Sequence, residues 1–110
     1  MKLSVTESLT LLDEKKALFL NLFSHGSLEV EIYRPREVDL QQPHARDELY
    51  VIATGQSRFM LGDGEHTVVA GDVLFVPAHT EHRFVQFSED FSTWVFFYGP
   101  AGGEAAMAAK

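Results

Sequence analysis

From Ala17 to Gly99 the chain is a succession of short apolar runs, most alternating at period two, cut by turn residues about every 8–12 positions. This feature constrains the fold more than any other. In "SLEVEIYRP" (Ser27 to Pro35), Leu28, Val30 and Ile32 alternate with Glu29, Glu31 and Tyr33, so the strand has one inward and one outward face. "ALFLNLF" (Ala17 to Phe23) precedes it, with Ser24, His25 and Gly26 predicted as a hairpin turn. "ELYVIATG" stops at Gly55, and "SRFML" reaches a second hairpin signal at Gly62 to Glu65. "HTVVAGD" turns at Gly71 and Asp72, "VLFVP" ends at Pro77, and "HRFVQF" and "FSTWVFFYG" close the series. About eight or nine short strands at this spacing predict a sandwich or barrel rather than a parallel α/β sheet. Ahead of them, Leu9, Leu11 and Leu12 among polar residues predict a short helix over Glu7 to Glu14.

The 110 residues suit one domain, expected to span 1–110, with a barrel over about 17–99 and a small-residue-rich, flexible tail at 100–110. A formal net charge of -7 with no basic cluster argues against nucleic acid as a partner. Cysteine is absent, so disulfides and thiolate metal sites are excluded and any metal must use imidazole, carboxylate or amide oxygen. The N-terminal stretch does not read as a signal peptide, and no run of about 18 apolar residues exists to span a membrane. The expected setting is cytoplasmic.

Two spaced segments carry the chemistry. One is His44-x3-Glu48-x6-Gly55 and the other Gly71-x5-Pro77-x4-His82. Together they resemble the paired signature motifs of the cupin family, over roughly Arg36 to Phe87. Four positions depart from the family pattern: Arg36 for the opening Gly, Gln42 for the first His, His79 for a Gly, and Gln86 for the closing Asn. The resemblance implies an all-β fold, a small jelly-roll β-barrel of the double-stranded β-helix type.

Within such a barrel Glu48, Tyr50 and Ile52 share a strand face, His44 stands at its rim, and His82 shares a face with Phe84 on a later strand. Two imidazoles and one carboxylate then converge as a facial triad for one divalent ion (iron, manganese, nickel or zinc), with open coordination positions. Gln42 offers either a weak carbonyl oxygen to that ion or a hydrogen bond to a bound water. The expected pocket walls are Tyr50, Ile52, Phe59, Phe75, Phe84 and Trp94. Tyr50 and His79 are the candidate catalytic groups, although a positive φ at a position where the family has Gly is the favoured explanation of His79. A structural Glu–His pair without metal is the plain alternative for the cluster, and His25 and His66 read as solvated turn residues.

The implied function is a small metal-binding cupin that binds or transforms a small molecule, by oxygenase or isomerase chemistry if it is an enzyme. The alternatives are a non-catalytic small-molecule or metal-binding module, and a metal-free cupin that uses His and Tyr as acid and base, like sugar-nucleotide epimerases. The resemblance, with the apolar surface left by so short a chain, also implies a homodimer.

Overall fold

The computed structural model describes residues 1–105. One helix, α1 (Val5–Lys15), precedes eight strands: β1 (Phe19–His25), β2 (Leu28–Tyr33), β3 (Asp47–Thr54), β4 (Gln56–Leu61), β5 (Gly64–Val69), β6 (Val73–Val76), β7 (His82–Val85) and β8 (Ser92–Tyr98). The helix begins two residues earlier than its apolar pattern, because Ser4 caps it: the Ser4 hydroxyl accepts the Glu7 N–H at 3.1 Å. It ends at Lys16, in the left-handed conformation. The helix buries Ser8 and Leu12, and Asp13 pairs with Arg34 just beyond β2.

The strands form a five-stranded sheet of order β1-β2-β8-β3-β6 and a three-stranded sheet of order β5-β4-β7. This is the jelly-roll arrangement, with the two sheets not joined into a closed ring. All neighbouring strands pair antiparallel. The last strand in sequence, β8, lies in the middle of the larger sheet between β2 and β3. The first hairpin turns at Gly26 and Ser27, not at Ser24 to Gly26: His25 pairs directly with Leu28, and Gly26 takes φ 57°. Two-residue turns of this kind match the twist of the flanking strands, and so the strand extends to meet them.

The core is a cluster of Tyr33, Tyr50, Ile52, Phe59, Val68, Val76, Phe84, Phe91 and Val95. Phe84 is its aromatic hub, with ring centroids 4.9 Å from Tyr50, 4.7 Å from Phe59 and 4.8 Å from Phe91. Two expected pocket walls lie elsewhere. Phe75 is 47% exposed, because Val76 and Leu74 hold the inner parity of β6. Trp94 lines a recess of about 620 Å³ with Val30, Val51 and Phe96, while Val95 takes the core position beside it. Val30 and Ile32 share the parity opposite to Glu31 and Tyr33, and it is Glu31 and Tyr33 that line the interior cavity. Among the described residues no helix is long and apolar enough to cross a membrane.

Of the expected tail, residues 100–105 run back along the start of β3. Gly102 N–H donates to the Ala45 carbonyl at 2.6 Å and Glu104 N–H to the Asp47 carboxylate at 2.8 Å. Residues 106–110 lie outside the described residues.

Candidate metal centre

Glu48 belongs to the larger sheet and His82 to the smaller, so the fold brings them together across the interior. His44 comes from the segment just before β3. Its backbone is held by the His79 N–H, which donates to the His44 carbonyl at 2.6 Å, and its ring packs edge-on against Phe97 at 4.9 Å. Glu48 Oε1 lies 3.3 Å from His82 Nε2 and 3.9 Å from His44 Nε2, and one donor atom from each of the three residues falls within 4.8 Å of the others.

The hydrogen-bond inventory gives this cluster its chemical meaning. Glu48 is 0% exposed, and among the described residues neither of its carboxylate oxygens has a hydrogen-bond partner; His82 Nε2 is equally buried and unpartnered among them. The other ring nitrogen, Nδ1, lies 2.9 Å from the Thr80 carbonyl, which can only accept, so Nδ1 carries the proton. His82 Nε2 therefore presents its lone pair toward Glu48 unless the ring takes a second proton. Buried acceptors without donors are costly, and a cation among them removes the cost. Metal bonds of about 2.1 Å place adjacent donors about 3 Å apart and opposite donors about 4 Å apart. The observed 3.3 and 3.9 Å fit that range.

The two imidazoles differ electrostatically. Burial holds the His44 pKa below its ordinary value, against the pull of Glu48, so its ring favours the neutral, ligating form. Burial also opposes charge on His82, but the Glu48 carboxylate and the Thr80 carbonyl together outweigh it and raise its pKa.

The remaining predicted residues distribute unevenly. Tyr50 is fully buried, and its hydroxyl donates to Gln41 Oε1 at 2.9 Å. Burial, then the Glu48 carboxylate, raises the Tyr50 phenol well above its usual pKa, so it remains a donor at neutral pH. His79 takes φ 63° and its side chain is exposed, while His25 and His66 are exposed as expected. Gln42 is exposed; its neighbour Gln41 turns inward, with Oε1 3.5 Å from His44 Nε2. Sequence reading missed Asp39. This fully buried carboxylate accepts from the Tyr33 hydroxyl, the Gln41 backbone N–H and side-chain amide, and the Phe84 N–H. An acid in a polar connection carries no periodic signal, and the aspartate's position relative to β7 emerges only from the fold.

A cavity of about 780 Å³ opens beside the cluster. Gln41 and His44 reach it from the side of the His44–Glu48–His82 cluster, Glu31 and Tyr33 from β2, and apolar groups including Phe19, Leu40 and Phe97 form the rest of the wall. Burial, then Glu29 and Glu48, raises the Glu31 pKa.

Residues 29–98 match the cupin domain family. An uncharacterized protein of Streptomyces coelicolor is 39% identical over 84 residues, which cover 74% of this chain and 80% of that protein. Among solved structures, a cupin-2 domain containing protein from Shewanella frigidimarina superposes with a TM-score of 0.72 at 14% identity, covering 88% of this chain and 94% of that one. The DMSP lyase DddQ from Ruegeria pomeroyi superposes with a TM-score of 0.60 at 24% identity; the match covers 74% of this chain but only 46% of the lyase. The structural likenesses establish the fold, and the family match spans most of the two-sheet body and all three candidate metal ligands. The chain belongs to the cupin family.

Proposed function

We propose that this cupin holds one divalent metal on His44, Glu48 and His82 and uses it to bind a small organic molecule in the adjoining cavity. The observation that carries the reading is the set of buried acceptors on Glu48 and His82 with no donor to meet them. When bound, the metal supplies Lewis acidity and open positions for an anionic or chelating ligand, the setting for oxygenase or isomerase chemistry. The chain's own residues do the rest. Thr80 fixes the His82 ring through Nδ1, leaving Nε2 as the donor. Phe97 braces His44. Leu40, Phe19 and Phe97 offer an apolar wall to the bound molecule's body, and the Tyr50 hydroxyl holds the Gln41 amide beside the ligands. A metal-free acid–base reading is less well supported, because His79 is exposed and the Tyr50 hydroxyl is committed to Gln41.

Elemental analysis of untagged protein, before and after reconstitution with iron, manganese, nickel and zinc, tests the reading. About one ion per chain, lost in His82→Ala, is expected; absence of metal under all four conditions overturns it. Oxygen uptake by the iron-loaded protein with a panel of diketones, catechols and hydroxy acids separates an oxygenase from a binding module. We also propose that the chain pairs as a homodimer through the outer face of the larger sheet. There Val73, Val51 and Trp94 form a continuous row across neighbouring strands, and Val73 is 63% exposed. A row of this kind meets its own copy across a two-fold axis. A monomeric mass by light scattering at micromolar concentration would refute pairing.

A further inference from the structure

The buried network around Asp39 bears on the metal centre, and it involves a residue outside the His44–Glu48–His82 set. We infer that Gln41 completes the centre as an amide-oxygen donor, and that Asp39 is the positioning residue that aims it. The inference rests on the metal reading above and specifies its donor set.

An amide presents an acceptor at one end and a donor at the other, and its neighbours decide which end faces where. Here Gln41 Nε2 donates to Asp39 Oδ2 at 3.1 Å, and the Gln41 backbone N–H donates to Asp39 Oδ1 at 3.0 Å. The carboxylate is itself pinned by the Tyr33 hydroxyl at 2.7 Å and the Phe84 N–H at 2.9 Å, so it is held by one strand of each sheet, β2 and β7. A flipped Gln41 would set its carbonyl oxygen against a carboxylate oxygen, acceptor to acceptor. The amide therefore keeps Oε1 toward His44, 3.5 Å from Nε2, where Tyr50 also donates to it. That spacing lies in the same range as the Glu48–His82 and Glu48–His44 separations. Tyr50 occupies only one of the two lone pairs of Gln41 Oε1, and the other is left on the side of His44 Nε2, free to meet a cation held there. Gln42, one residue on, is exposed and has no part in this.

The consequence is a centre with two imidazole nitrogens and two oxygens, one charged and one neutral. Oxygen donors suit harder ions, and replacing one with imidazole tilts a site toward nickel, copper and zinc. The chain is thus tuned toward manganese or iron(II) relative to a site with three histidines.

The experiment is a titration of the full chain with Co²⁺, read by visible absorption, and with Mn²⁺ and Ni²⁺ by chelator competition. Gln41→Ala is expected to weaken Mn²⁺ and Co²⁺ binding by roughly tenfold or more, the range seen when groups around a metal are removed, and to alter the Co²⁺ spectrum. Gln42→Ala should change neither. Gln41→His should raise the Ni²⁺ to Mn²⁺ affinity ratio. Asp39→Asn should reproduce the loss and the spectrum of Gln41→Ala, and the double variant should be no weaker than Gln41→Ala alone, because a positioning residue acts only through the group it positions. Gln41→Ala leaves the Asp39 bonds to Tyr33 and Phe84 intact, so it decides the donor role even if Asp39→Asn fails to fold. Wild-type affinity and an unchanged spectrum in Gln41→Ala overturn the inference while leaving the three-ligand centre standing. Losses that add fully in the double variant overturn the positioning role. A wild-type chain that binds no Co²⁺, or a His82→Ala variant that binds it unchanged, overturns the three-ligand centre itself and the inference with it.

Discussion

Replacing Asp39 with alanine removes one carboxylate and orphans four donors at once. Two of them, the Tyr33 hydroxyl and the Phe84 N–H, sit in buried surroundings, where no water replaces the lost acceptor. An unsatisfied buried donor costs about 1–3 kcal/mol. The two donors of Gln41 are partly buried and lose about 0.5–1.5 kcal/mol each, since water takes over some of the bond. The expected loss is therefore roughly 3–9 kcal/mol, against a total stability of about 5–15 kcal/mol for a domain of this kind. Urea denaturation of the metal-free protein reads it directly. With a slope of about 1–3 kcal/mol per molar, even the lower end moves the midpoint by about 1 M or more. Tyr33→Phe, which removes a single donor and keeps the ring in the core, should cost about 1 kcal/mol on the same scale. A midpoint for Asp39→Ala within about 0.3 M of wild type, at unchanged slope, would refute the reasoning, because it would mean that the network contributes almost nothing.

Other outcomes follow from single residues. Glu31→Gln should raise the melting temperature at pH 7: burial, Glu29 and Glu48 raise the Glu31 pKa above the ordinary carboxyl range, so the ionised form is disfavoured in the folded state. The sign is that of a raised carboxyl. Its penalty is absent below about pH 4, where both states hold the proton, and grows as pH rises through the folded pKa, so a gain that persists at pH 3 would count against this origin. Gly55→Ala should destabilise by about 2 kcal/mol or more, because φ is +75° and an added Cβ would meet Ser88 Oγ at 2.5 Å and Phe91 Cα at 2.8 Å; a thermal melt unchanged from wild type would contradict the packing there.

The strands and the His44–Glu48–His82 cluster could be read from the sequence because they rest on strong local signals. Period two fixes which residues share a face, and Gly55 and Gly71 mark turns that take positive φ, 75° and 94°. What period two leaves open is which face is the inner one. In β2 the apolar residues Val30 and Ile32 lie on one side and Glu31 and Tyr33 on the other, and both sides are partly or fully covered. Trp94 and Phe75 were misplaced for the same reason, since apolar residues occur on both parities of β8 and β6. Residues 34–46 show a deeper limit. Outside regular strands, shared parity with His44 carries no directional information, so Gln42 and Gln41 could not be told apart. The residue that decides between them, Asp39, bonds Phe84 across 45 positions of sequence.

The central place of β8 has a consequence for how the chain reaches its native state. Both β2 and β3 find their shared neighbour only in residues 92–98, which are made after every other strand among the described residues. Until that strand is available, β2 and β3 each present an unpaired edge, and the first hairpin has no bond to the sheet that carries Glu48. Pairings this distant in sequence are slow to form, and open edges in the interval are sites for association with other chains. Synthesis thus leaves a window in which β1 to β7 exist but the larger sheet does not. A chain stalled or truncated before Ser92 would be a population of sticky hairpins rather than a smaller version of this protein.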